Sequence, residues 1–197
     1  MLRAIGTVLA FLVLAINVQA QNTLNWSENY TLKFSDFRSP ASKIGGEIYS
    51  LRNTASMDFS FYMSNYEFMF TKNFNSKVNC TFTRDAASLV APNEEYVHYL
   101  LNFAQFGFDL SELYARKFRK ELFENKGVFS DIKYVEPIYS QIQKEYSKRY
   151  TEAADACELG KNEAKLLELH LAVKNEINEL SDFCKSCKPP KKKNKKS

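Results

Sequence analysis

The segment Tyr96 to Lys120, YVHYLLNFAQFGFDLSELYARKFRK, holds the densest set of side chains able to do chemistry. His98, Asn102, Gln105, Asp109, Glu112 and Arg116 recur at alternating steps of four and three, which puts them on one narrow polar stripe of a helix. A histidine and two carboxylates on a stripe are the raw material of a metal site or of acid–base catalysis. The bland counterpart is a structural ion-pair strip, because Glu112 stands four residues before Arg116 and Lys117 four before Glu121. His98 and Asp109 are three turns apart, a poor geometry for sharing one ion. The other histidine, His170, falls on a later helix near Glu163 and Lys174. A relocated, metal-dependent hydrolase site would therefore need His98, Asp109, Glu112 or His170 to converge across helices. The serines and cysteines have no partnered histidine in a recognisable motif, so nucleophilic catalysis has no support. No Gly-rich phosphate loop is present.

The same segment resembles the central helix of a bacterial family, domain of unknown function 922, described as predicted secreted zinc-dependent proteases. That helix reads approximately L-L-x-H-E-Q-x-H-F-D-I-x-E-x-x-A-R-x-x-R. Laid on it without gaps, Leu100, Leu101, Gln105, Phe108, Asp109, Glu112, Ala115, Arg116 and Arg119 match, and Leu110 replaces the isoleucine. The likeness spans most of Asn25 to Leu180 and is specific over the twenty residues of this helix. It implies a zincin-like central helix beside a sheet. In the family motif two histidines one turn apart would bind zinc, and the glutamate beside the first would activate water. This chain has Phe103 and Gly107 at the histidine positions and Ala104 at the glutamate position. A phenyl ring and a hydrogen offer no lone pair, and a methyl group takes no proton, so the Lewis acid and the base go together. A later family histidine also has no counterpart in Tyr150 to Ala156.

The resemblance thus implies a pseudoenzyme with no cofactor: an exported relative of a protease family whose role is binding or structural. It keeps Asp109, Glu112, Arg116 and Arg119 as scaffold. Phe103 is expected to fill the vacated metal cavity, and Gly107 to let that ring or a strand side chain approach the backbone. The alternative is that Gly107 is only a weak point, costing about 1 kcal/mol relative to alanine.

The elements that must position these residues follow from period and composition. Met1 to Ala20 reads as a secretory signal: Arg3, an apolar run from Val8 to Ile16, then small residues at Val18 and Ala20. An uncleaved anchor is the alternative, and no later stretch reaches membrane-spanning length. Export to the periplasm or beyond the cell makes the four cysteines candidates for disulfides. A long helix of about 30 Å separates Cys157 from Cys184, too far for a bond. The expected pairs are Cys80–Cys157 and a local Cys184–Cys187, with four reduced thiols as the alternative.

From Trp26 to Val90 apolar residues alternate with polar ones: Tyr30, Leu32, Phe34; Met57 to Met63; Phe68, Phe70; Val78, Cys80, Phe82. This predicts an N-terminal antiparallel meander of four or five strands. Tyr62, Tyr66, Phe68 and Phe70 are then sheet core and edge, or else an aromatic platform for carbohydrate or peptide. After Pro92 the period becomes helical, with helices expected from Asn93 to about Asn125, from Glu136-Pro137 to Tyr150 or further, and over Lys161 to Phe183. Strands first and helices afterwards means α+β, in one domain over residues 21–184. An apolar fraction of 45% suits a packed core, while Gly 6 and Pro 5 argue against collagen, disorder and a turn-dense sandwich. Residues 185–197 hold seven lysines and no acid, which leaves −3 on the rest of a chain whose net charge is +4. A mildly acidic body with a basic, compositionally disordered tail is no nucleic-acid-binding domain, but the tail suits an anionic surface such as lipid headgroups or acidic polysaccharide.

Overall fold

The computed structural model describes residues 22–59, 64–126 and 132–191. The signal-like segment, Tyr62 and the final lysines lie outside the described residues. In chain order come β1 (Thr23–Asn25), β2 (Lys43–Ile44), β3 (Ser50–Arg52), β4 (Ala55–Phe59), a short helix α1 (Asn65–Phe70), β5 (Val78–Thr83) and β6 (Ser88–Ala91). Three longer helices follow: α2 (Glu94–Asn125), α3 (Val135–Ala156) and α4 (Glu163–Glu179). The architecture is α+β, as the order of patterns implied.

The strands form two small sheets where one meander was expected. β1, β5 and β4 make an antiparallel sheet with β5 central; in the other, β6 pairs in parallel with β2 and antiparallel with β3. Alternation was right for β5, whose Val78, Cys80 and Phe82 all turn inward and are buried. It misled at Tyr30 to Phe34, which is not a strand. There the buried Asp36 carboxylate accepts the Lys33 backbone N–H at 2.9 Å and the Tyr30 hydroxyl at 2.9 Å, and pairs with Arg84 at 2.7 Å. A side chain that satisfies local backbone in this way competes with a ladder, and a 3-10 turn forms at Phe34–Asp36.

Alternation also misled at Phe68 and Phe70. Ser64 caps α1 by accepting the Glu67 N–H at 3.1 Å, an S-x-x-E start signal present in the sequence. In a helix Tyr66 and Phe70 share a face while Phe68 points the other way, so Phe68 is buried and the other two rings are exposed.

Helix α2 is the hub, packed by strands on one side and by α3 and α4 on others. Asn93 caps it by accepting the Tyr96 N–H at 3.2 Å, at the start the sequence predicted. Between α3 and α4 the chain passes through Glu158, Leu159 and Gly160, with φ of 51°, 55° and 103°. Gly160 is needed twice over: its φ is left-handed, and a Cβ there would sit 2.2 Å from the Tyr99 carbonyl oxygen of α2. Helix α4 buries Leu166, Val173 and Ile177 on the predicted stripe but stops at Glu179, followed by a 3-10 turn at Ser181–Phe183.

Cys184 and Cys187 are joined, as expected, with S–S 2.05 Å. Cys80 and Cys157 are not: both are free and buried. They face different parts of α2. The Cys80 sulfur lies 3.9 Å from the Phe108 carbonyl, whereas Cys157 ends α3 in the turn whose Gly160 packs on Tyr99 and Phe103. Burial pushes both thiols above the usual range.

Candidate functional site

The three positions where the resemblance places a zinc motif are fully enclosed. Phe103, Ala104 and Gly107 are all buried on the face of α2 that meets α3 and the β3–β4 connection. The Phe103 ring packs 5.3 Å from Tyr150 and 5.8 Å from Phe106 between centroids. Asn53, between β3 and β4, donates its amide to the Ala104 carbonyl at 3.2 Å and accepts from the Ala55 N–H at 3.0 Å. A Cβ on Gly107 would stand 2.3 Å from that amide nitrogen and 2.8 Å from the Tyr150 ring. The glycine therefore admits a loop amide and a tyrosine edge against the helix backbone, which is the packing role expected of it, though the close ring is Tyr150 and not Phe103. Burial drives the Tyr150 hydroxyl well above its ordinary pKa, against a hydrogen bond with Asn53 that pulls it down.

Glu112, Arg116 and Arg119 fasten α2 to its neighbours. The Glu112 carboxylate accepts Arg116 Nε at 2.9 Å and Arg119 Nη1 at 2.8 Å, all three side chains being buried. The guanidinium groups then reach main-chain carbonyls on other elements: Arg116 to Ile177 at 2.9 Å, Arg119 to Val78 at 2.9 Å and Phe183 at 3.0 Å. A helix leaves its last carbonyls without intrahelical partners, and these arginines supply donors to the end of α4 and to the turn beyond it. Helix α4 ends at Glu179, short of the predicted Phe183. Arg116 also lies 5.5 Å from the centre of the Trp26 ring.

Asp109 holds three donors. One oxygen accepts Trp26 Nε1 at 2.7 Å and Gln105 Nε2 at 3.1 Å, and the other meets His170 Nε2 at 2.6 Å. His98 is exposed; its Nε2 lies 3.0 Å from the Asn102 amide and 3.9 Å from Glu163. The two histidines are thus engaged by different carboxylates, and Glu163 and His170 stand two turns, about 10 Å, apart along α4. With Lys117–Glu176 at 2.9 Å these contacts form rungs between parallel helices α2 and α4. Of the groups a relocated site would draw together, His170 meets Asp109 while His98 joins neither them nor Glu112. Among the described residues, no three His, Cys, Asp or Glu side chains are grouped as a metal site requires.

Sequence reasoning missed Asn53, Tyr150 and the Asp109–His170 contact. No local signal announces any of them, because each partner is more than fifty residues from its mate or on another element. Several openings flank the hub among the described residues. A small polar cleft of about 140 Å³ lies beside Asp109, Trp26 and Lys174. A wider groove of about 610 Å³ runs between α2, α3 and α4 over Ile138, Ile142 and Leu180, and Phe103, Ala104 and Gly107 do not line it. Comparison with known proteins found no matching family model, no matching curated protein and no matching solved structure.

Proposed function

We propose that this chain is an exported, non-catalytic relative of the secreted protease-like family it resembles, and that its role is binding or structural. The observation that carries the reading is the filling of the Phe103–Ala104–Gly107 face by Tyr150, Phe106 and the Asn53 amide. Hydrocarbon and a carboxamide already engaged with main chain occupy the place where the family motif implies ligands and a base. The employment of Glu112, Arg116 and Arg119 as a clamp between α2, β5 and α4 supports reading them as scaffold.

A second reading, a metal-dependent hydrolase with a relocated site, draws on the 2.6 Å contact between Asp109 and His170. A carboxylate and an imidazole make two of the three protein ligands that a catalytic zinc site takes. One experiment separates the two. The chain beginning at Gln21 is purified, its zinc content measured and its hydrolysis of unfolded protein substrates assayed. The binding role predicts no stoichiometric zinc and no hydrolysis; zinc bound one to one and lost in His170→Ala or His98→Ala overturns it. Recovery of the product outside the cytosol with Gln21 at its N-terminus tests export.

A further inference from the structure

We propose that the groove between α2, α3 and α4 binds a cationic, amphipathic peptide segment of a partner protein. The inference rests on the binding role proposed above and names the class of partner. The groove, about 610 Å³ in volume, opens between the first turns of α3 and the last turn of α4, with α2 as its floor. Its wall along α3 runs from Pro137 to Glu145, about 12 Å of helix at 1.5 Å per residue. The middle is aliphatic. Ile142 is buried there, and Ile138 and Leu180 are half-buried. The walls are braced from below and across: Glu176 of α4 pairs with Lys117 of α2 at 2.9 Å and with Arg149 of α3 at 2.6 Å. The end of α4 is tied to α2 as well, through Arg116 and the Ile177 carbonyl at 2.9 Å. A groove whose three helices are fastened to one another is formed before any partner arrives, so a ligand need not supply the ordering.

Charge around this groove is unbalanced, and the imbalance selects the occupant. Its two lysines are already taken, Lys117 by Glu176 and Lys120 by Glu124 at 2.7 Å. Glu121, Glu145 and Glu179, one on each of the three helices, have no cation partner among the described residues. Glu121 accepts only amide donors, from Asn125 at 2.8 Å, and Glu145 likewise from Gln141 at 2.7 Å. An aliphatic trough about 12 Å long with unpaired carboxylates around it is complementary to two turns of an amphipathic helix. Such a helix lays apolar anchors at i, i+3 or i+4 and i+7 into a groove, with lysine or arginine beside them. A small organic cation reaches one carboxylate, whereas cations spaced along a peptide reach acids that stand on separate helices. An acidic partner or a nucleic acid meets like charge at Glu121, Glu145 and Glu179. A polycation without apolar side chains leaves Ile138 and Leu180 wet. Only a segment carrying both features uses the whole surface.

The test titrates the chain from Gln21 into a fluorescein-labelled peptide of leucine and lysine, with leucines at i, i+3, i+4 and i+7, and follows anisotropy. Two control peptides replace every lysine by glutamate or every leucine by serine. The leucine–lysine peptide is expected to bind and the glutamate peptide not to bind. The serine peptide should bind at least about tenfold more weakly, the loss expected when a buried leucine is withdrawn. The triple variant Glu121→Gln, Glu145→Gln, Glu179→Gln should weaken binding about tenfold, since each exposed ion pair is worth about twofold. Raised salt should weaken the unaltered protein in the same way. A control triple outside the groove, Glu47→Gln, Glu152→Gln, Glu168→Gln, removes the same charge and should leave binding unchanged. Ile138→Ser with Leu180→Ser should also weaken binding about tenfold. Circular dichroism and thermal melting establish that the variants are folded, and the two charge triples decide the matter if the apolar variant is not. No binding of the leucine–lysine peptide, equal binding of the glutamate peptide, or equal loss in both triples overturns the proposal. Mass spectrometry of the peptide keeps the two readings apart: a cut peptide overturns the non-catalytic role, whereas an intact peptide that fails to bind overturns the groove alone.

Discussion

Glycine inside an α-helix costs about 1 kcal/mol relative to alanine, and Gly107 sits near the middle of the longest helix in the molecule. What the position gains is proximity: the Asn53 amide and the Tyr150 ring both lie where a Cβ would be. Gly107→Ala should therefore destabilise the protein by about 1 to 3 kcal/mol despite its better helix propensity, through overpacking. Urea unfolding is the measurement, and the sign is the point. A stabilised variant would mean that the contact yields freely. Asn53→Ala removes the closer neighbour and should lessen the penalty, so the two substitutions should be coupled in a double-mutant cycle. Phe103 is the complementary case, a large ring buried against Tyr150 one turn before the glycine. Both residues are plain in the sequence. Their neighbours are not, because Asn53 and Tyr150 come from a loop and a helix on opposite sides of α2 in sequence.

Among the elements, α4 depends on α2 for more than apolar burial. Its terminal carbonyls receive the guanidinium groups of Arg116 and Arg119, and both arginines are held by Glu112. Removing a shared counter-ion leaves two buried cations with carbonyl acceptors only. Glu112→Ala is expected to cost about 3 to 5 kcal/mol, the range for breaking a buried pair by deleting one partner. Hydrogen exchange should show the loss concentrated at the C-terminal end of α4 and in the turn through Phe183. A uniform loss across the chain would mean that the clamp has no local effect. The polar stripe of α2 was legible from spacing alone, and so was the Glu112–Arg116 ion pair. The destination of the arginines was not, since main-chain carbonyls carry no residue signature. Helix α1 shows the reverse error: its aromatic spacing of two imitates a strand, and the Ser64–Glu67 capping pair was the better guide.

At the scale of the whole molecule, the two free thiols test the packing of the body. Cys80 and Cys157 are buried, and burial raises both pKa values, so native protein should react very slowly with a thiol reagent at neutral pH. In denaturant without reductant two thiols per chain should be labelled, and none should be labelled if Cys80 and Cys157 pair. Their separation also explains the failure of the sequence-based pairing. Parity and an expected oxidising compartment say only that cysteines can pair, whereas a disulfide demands two Cβ atoms about 4 Å apart. Geometry of that kind is a property of the assembled fold.

Sequence by itself determined the α+β order, the span of the central helix, its N-cap, its polar stripe and the want of ligand atoms in the side chains of Phe103, Ala104 and Gly107. These are local properties, set by side-chain chemistry and by periods of two and 3.6 residues. Tertiary structure alone decided that the sheet is split in two, that His170 meets Asp109 while His98 meets Glu163, and that Tyr150 and Asn53 pack against Phe103 and Gly107. Each of these joins residues far apart in the chain, and such encounters are fixed by how buried surfaces fit together, which no short stretch of sequence encodes.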